Sequence, residues 1–139
     1  MAPKLRDPGD PEEWLRHARS NLSRCRADRR LPDVLFEDLC FDAQQAAEKA
    51  LKAVLISGGK RFPKTHDLAE LLHLVAAMGL DLSPEVLEAK RLTPYAVAGR
   101  YPGVSEDASL QDYEEALKTA EAVFTWAESL VAKPPHPAV

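Results

Sequence analysis

The chain has no stretch of about 18 consecutive apolar residues, the length that a bilayer-spanning helix requires. Its opening, MAPKLRDPGDPEEW, has no apolar core and is not expected to act as a secretory signal. Cysteine is scarce. Cys25 and Cys40 have neither metal-ligand spacing nor a secretory context, so they read as small buried hydrophobes in a reducing, cytoplasmic compartment. The histidines His17, His66, His73 and His136 show no metal spacing and no carboxylate cluster compensates, so neither a metal nor another cofactor is expected. Gly58-Gly59-Lys60 lacks the earlier glycine and the strand of a phosphate-binding P-loop, and no Gly-x-Ser-x-Gly elbow occurs. No alternation of strand period persists, and no internal repeat is visible.

What is present fits one soluble domain. A chain of 139 residues can bury roughly two-thirds of its unfolded surface, enough for a core without staples. The net charge of −4 is unevenly spread. Residues 1–30 hold eight Lys and Arg against five Asp and Glu, whereas the remainder holds ten against seventeen. An acidic body argues against duplex DNA as a partner, which needs many phosphate contacts, but it leaves room for a small basic site.

Five helices are legible, so the expected fold is an all-α, five-helix, up-and-down antiparallel bundle over residues 11–132. A flexible segment, 1–10, precedes it and a Pro-rich, disordered tail, 133–139, follows. Asp10-Pro11-Glu12-Glu13 announces the first helix with a cap, a first-turn proline and an acid three after the cap. Trp14, Ala18, Leu22 and Cys25 share a face, and Arg24, Arg26, Arg29 and Arg30 crowd the helix end, where cations suit the dipole. The second helix is expected from about Asp33 to Ser57, stopped by Gly58-Gly59. The third starts near Thr65 or Asp67, with Leu68, Leu71, Leu72, Val75 and Met78 on one stripe. The fourth follows Ser83-Pro84-Glu85 and runs to about Ala98, kinked or interrupted by Pro94. In the fifth, Leu110, Tyr113, Leu117, Ala120, Phe124, Ala127 and Val131 recur at spacings of 3 and 4. That seam suits the second helix within the chain or a second subunit.

If each connection reverses the chain, the end of the second helix, the start of the third, the end of the fourth and the start of the fifth share one pole. That pole would gather Lys60, Arg61, Lys64, His66, Arg100 and Tyr101 as an anion site, opposed by Asp67, Glu106 and Asp107. Arg100 lies in a turn framed by glycine and proline; its guanidinium suits a phosphate oxygen, or it closes an ion pair with Glu106 or Asp107, and Tyr101 either stacks on a base or packs on the bundle end. His66 at a helix start either orders the loop or serves as a general base, and His17 and His73 read as surface residues.

The most informative stretch is Phe41 to Ile56, FDAQQAAEKALKAVLI. Its small residues admit a close helix neighbour. Its polar set, Gln44, Gln45, Glu48, Lys49 and Lys52, is either a solvated face with a Glu48–Lys52 surface pair or the floor of a site.

Phe41-Asp42-Ala43-Gln44-Gln45-Ala46-Ala47-Glu48-Lys49-Ala50-Leu51-Lys52-Ala53, then Thr65-His66-Asp67-Leu68, then Leu92 and Tyr95 leading to Arg100-Tyr101-Pro102, together resemble a HEPN domain over about residues 12–132. HEPN domains are named for nucleotide binding in higher eukaryotes and prokaryotes. The resemblance implies a five-helix bundle that usually forms a dimer and often acts beside a minimal nucleotidyltransferase, in toxin–antitoxin or related systems. Some members are metal-independent ribonucleases, with an Arg followed four to six residues later by a His. Arg100 matches that Arg, but Val104, Ser105, Glu106 and Asp107 stand where the His would be, and no His occurs between His73 and His136.

The expectation is therefore an accessory protein that binds nucleotide or RNA. Lys49, Arg100 and Tyr101 would face the ligand, with Gln45, Glu48 and His66 behind them. Arg100 and His66 are the candidate catalytic groups should the chain be a ribonuclease. An oligomeric module without a small ligand is the third possibility.

Overall fold

The computed structural model describes residues 7–27, 32–97 and 107–132. Among these there are helices and no strands: α1 Pro11–Ala27, α2 Phe36–Ser57, α3 Leu68–Ala76, α4 Pro84–Leu87 continuing as a 3-10 segment Glu88–Ala96, and α5 Leu110–Ala132. The five-helix bundle expected from the sequence is what is found.

Local chemistry accounts for most of the boundaries. Asp10 caps α1, its carboxylate accepting from Glu12 N at 2.9 Å. Asp67 caps α3 by accepting from Ala69 N, and Ser83 caps α4 by accepting from Val86 N. Ser109 and Asp112 bond each other's backbone N–H at the head of α5, a reciprocal capping box. Two boundaries differ from expectation. α2 begins at Phe36 and not Asp33, because Asp33 has φ 71° and turns the chain, leaving extended Leu35 at the cap. The fourth helix is α-helical for only four residues. Pro94 has no N–H for the carbonyl of Lys90 and its ring crowds that position, and the segment before it winds as 3-10. Ala98 lies outside the described residues.

α2 is the central element, and nearly its whole circumference is buried. Its alanines, Ala43, Ala46, Ala47, Ala50 and Ala53, let α1 and α5 approach closely. The α5 seam turns inward within the chain: Tyr113, Ala120, Phe124, Ala127 and Val131 are buried, whereas Leu110 remains exposed. Tyr113 stacks on Phe36 and donates its hydroxyl hydrogen to Cys25 O at 2.8 Å, joining α5 to both α2 and α1. Cys25 and Cys40 are buried free thiols, as expected.

The connection at residues 58–67 sets the topology. Gly59 (φ 72°) turns the chain, and a Cβ on Gly58 would collide with Met78 Cε. The chain then runs back along α2 as an irregular strap until His66 meets Glu48, a little over two turns before the helix end. α3 climbs again, so that Leu74, Ala77 and Met78 lie beside Leu55, Lys60 and Arg61. α4 and the 3-10 segment descend along α5, from Glu85 and Glu88 beside Thr119 to Tyr95 beside Asp112. The approach to α5 is fixed at the start of α2, where Glu37 accepts from Ala108 N at 2.9 Å.

The single pole inferred from reversing the chain at every junction therefore does not form. The head of α5 sits at the first turn of α2, whereas Lys60 follows its last turn. The cause is the strap: a connection long enough to retrace half of α2 makes α3 run in the same sense as α2. Arg100, Tyr101 and Glu106 lie outside the described residues.

Candidate functional site

The polar set of α2 is neither a solvated face nor a loose surface pair. The Glu48 side chain is 4% exposed and that of Lys52 8%. Of the two readings left open by the sequence, a solvated surface pair and the floor of a site, the first does not hold: the pair is buried because the strap and α1 cover it. Lys52 Nζ lies 3.0 Å from Glu48 Oε2 and sits over the rings of Trp14 (5.7 Å) and Phe62 (5.1 Å). Those two rings meet edge to face, with centroids 5.3 Å apart.

Glu48 Oε1 accepts from Gln44 Nε2 at 2.9 Å and from His66 Nδ1 at 2.8 Å, and Gln45 Nε2 donates to Gln44 Oε1 at 2.7 Å. Burial pushes the Glu48 carboxyl up, but the donors His66, Lys52 and Gln44 outweigh burial and hold it below its ordinary value. An ionised carboxylate only accepts, so His66 Nδ1 carries the hydrogen and Nε2 is the ring nitrogen left for an outside partner. The His66 side chain is 70% exposed.

Lys49 joins a second network. Its Nζ donates to Asn21 Oδ1 at 2.8 Å, and Asn21 Nδ2 donates to Asp42 Oδ1 at 2.9 Å. Arg24 pairs with the same carboxylate at 2.7 Å. Burial pulls the Lys49 ammonium below its ordinary value, with Arg24 and Lys52 acting the same way and Glu48 and Asp42 opposing.

The strap carries the remaining cations. Phe62 pins it to Trp14, and His66 pins it to Glu48. Between and beside these pins, Lys60, Arg61 and Lys64 are exposed. Among the described residues none of the three forms an ion pair, whereas Arg19, Arg24, Arg26 and Arg91 all do. The acid expected to oppose them, Asp67, is occupied in capping α3.

The structure thus gathers Gln45, Glu48 and His66 in one network with Gln44 and Lys52, and puts Lys49 one step away beside Asn21. Among the described residues no group of three His, Cys, Asp or Glu could hold a metal ion. Three contributors were missed by sequence reasoning: Asn21, and the lid formed by Trp14 and Phe62. Asn21 had a readable signal, a polar residue on the stripe that also carries Ala18, Leu22 and Cys25. The lid had none, since it depends on where the strap returns.

The sequence profile of the HEPN domain matches residues 11–130. The chain belongs to the HEPN family. Two solved structures share the fold of this HEPN domain. The protein TT1696 from Thermus thermophilus is 30% identical, with a TM-score of 0.70, over 86% of this chain and 96% of that one. ST0689, described as an archaeal HEPN homologue, is 24% identical, with a TM-score of 0.66, over 88% and 98%, and bears on the fold alone. No functionally curated protein matches the chain. Among the described residues no helix is long and apolar enough to cross a membrane.

Proposed function

We propose that this HEPN domain is an accessory protein that binds a phosphate-bearing ligand, nucleotide or RNA, on the strap. The observation that carries this reading is the contrast in pairing: Lys60, Arg61 and Lys64 stand exposed, with no carboxylate partner among the described residues, on a segment pinned at two points. A pinned backbone lowers the ordering cost of holding cations in register for an anion. His66, at the end of the same strap, uses Nδ1 on Glu48 and leaves Nε2 open. With a net charge of −4, the body disfavours extended binding to duplex DNA. Arg100 and Tyr101 remain ligand-facing candidates from the sequence resemblance.

The HEPN resemblance further suggests a homodimer that works with a minimal nucleotidyltransferase in a toxin–antitoxin-like system. The ribonuclease alternative has one observation in its favour, the fixed tautomer of His66. It lacks a histidine in the place the ribonuclease motif requires. RNA cleavage lost in both His66→Ala and Arg100→Ala would support that alternative over the binding role.

Thermal unfolding with ATP, AMP or a short single-stranded RNA tests the binding role. A ligand held by the native state at about 100 times its dissociation constant adds about 2.7 kcal/mol to stability. At least one of the three should raise the melting temperature, and no rise at millimolar ligand would refute the proposal. Light scattering and co-purification with a nucleotidyltransferase test the dimer and the partnership.

A further inference from the structure

Against Trp14, whose ring meets Phe62 of the strap, lies a hollow of about 260 Å³, lined by Pro8, Glu13, Trp14, His17 and Lys49. Its wall is predominantly apolar, and its size suits one heteroaromatic ring better than a whole nucleotide. The indole of Trp14 is set before any ligand arrives: Nε1–H donates to Pro8 O at 2.7 Å, and the ring makes a T-shaped contact with Phe62. At the rim, Lys49 gives one of its three N–H donors to Asn21. Among the described residues the other two have no hydrogen-bond acceptor, and a base carbonyl or ring nitrogen would supply one. Glu13, also in the lining, has Oε1 3.3 Å from His17 Nε2 and 2.6 Å from Arg16, so its charge is already engaged.

We infer that this hollow seats one base of a single-stranded nucleic acid whose phosphates lie on Lys60, Arg61 and Lys64. The inference rests on the anion-binding reading of the strap and narrows its ligand from any phosphate compound to a strand. Continuity supports the strand. Phe62, flanked by the strap cations, is in contact with the indole that walls the hollow. Lys60 and Lys64 are four residues apart, a reach of up to about 14 Å in extended chain, which one phosphate does not cover. An aromatic platform beside a cationic track is the general arrangement for sequence-tolerant single-strand binding.

Trp14 is also the reporter. In a Trp126→Phe background it is the sole tryptophan. That protein is titrated with a short single-stranded RNA and with an abasic ribose-phosphate oligomer of equal length, following binding by anisotropy and the indole by its emission. The expected result is that both oligomers bind, that RNA binds about tenfold or more tightly, and that only RNA alters Trp14 emission. Lys49→Gln should weaken RNA more than the abasic strand. RNA binding with unchanged emission, or equal affinity for the two oligomers, overturns the base-seating inference and leaves the strap reading intact. If neither oligomer binds, both fall.

Discussion

Two groups of charged residues on adjoining segments, the last turns of α2 and the strap that follows, have opposite fates. Glu48 and Lys52 are buried, mutually paired and roofed by two aromatic rings. Lys60, Arg61 and Lys64 are exposed and have no acidic partner among the described residues. A buried pair acts through the penalty of breaking it, because the survivor is left desolvated and uncompensated. Exposed cations contribute little to folding and are available to a ligand. Charge alone therefore does not tell a structural pair from a cation left open to solvent in this HEPN domain.

Glu48→Ala should give the largest effect. It strands the Lys52 ammonium beneath Trp14 and Phe62 and releases His66, at a cost of about 3–5 kcal/mol in chemical denaturation. A loss below about 1 kcal/mol would mean that the network is wetter than its geometry indicates.

Phe62→Ala removes one pin and half the roof. Phe62 is only partly buried, so the cost should be about 2 kcal/mol, below that of a fully buried ring. Amide exchange should quicken across residues 60–66 and remain slow in the core of α2. Unchanged exchange in the strap would show that His66 alone holds it.

The sign of the acid response follows from the lowered Glu48 carboxyl. A carboxylate with a depressed native pKa contributes stability that is complete above its ordinary value and is lost as pH falls through the native value. Stability of the wild type should therefore fall toward acid more steeply than that of Glu48→Gln, with urea midpoints at several pH values as the measurement. Parallel slopes would assign the acid response to other carboxylates.

Lys49 carries a small stability effect and sharpens the comparison from the other side. Its ammonium is lowered by burial, so its charge is penalised by the fold at neutral pH and the penalty eases only as pH rises through the native value. Lys49→Met should change stability by no more than about 1 kcal/mol. It should nevertheless weaken RNA binding, which a purely structural residue would not do.

The legible and illegible parts of this molecule divide along the same line. Asp10, Asp67 and Ser83 announced helix starts, and the α5 repeat announced a buried stripe, because capping and periodicity act within a few residues. The return of residues 58–67 along α2 was invisible, since Gly58-Gly59 marks where the second helix stops and not where the chain goes next. That one long-range choice decides which cations meet. It separates the head of α5 from Lys60 and brings His66 to Glu48 at mid-helix. For the same reason the sequence left Glu48–Lys52 open between a surface pair and the floor of a site: its i,i+4 spacing is local, and its roof is not.

The most direct test of the contrast is a single comparison, the melting temperature of wild type and of the combined variant Lys60→Ala, Arg61→Ala, Lys64→Ala, each with and without a short single-stranded RNA. The account predicts stability within about 0.5 kcal/mol of wild type without ligand, and loss of the RNA-dependent rise. A variant that keeps the full rise would contradict it.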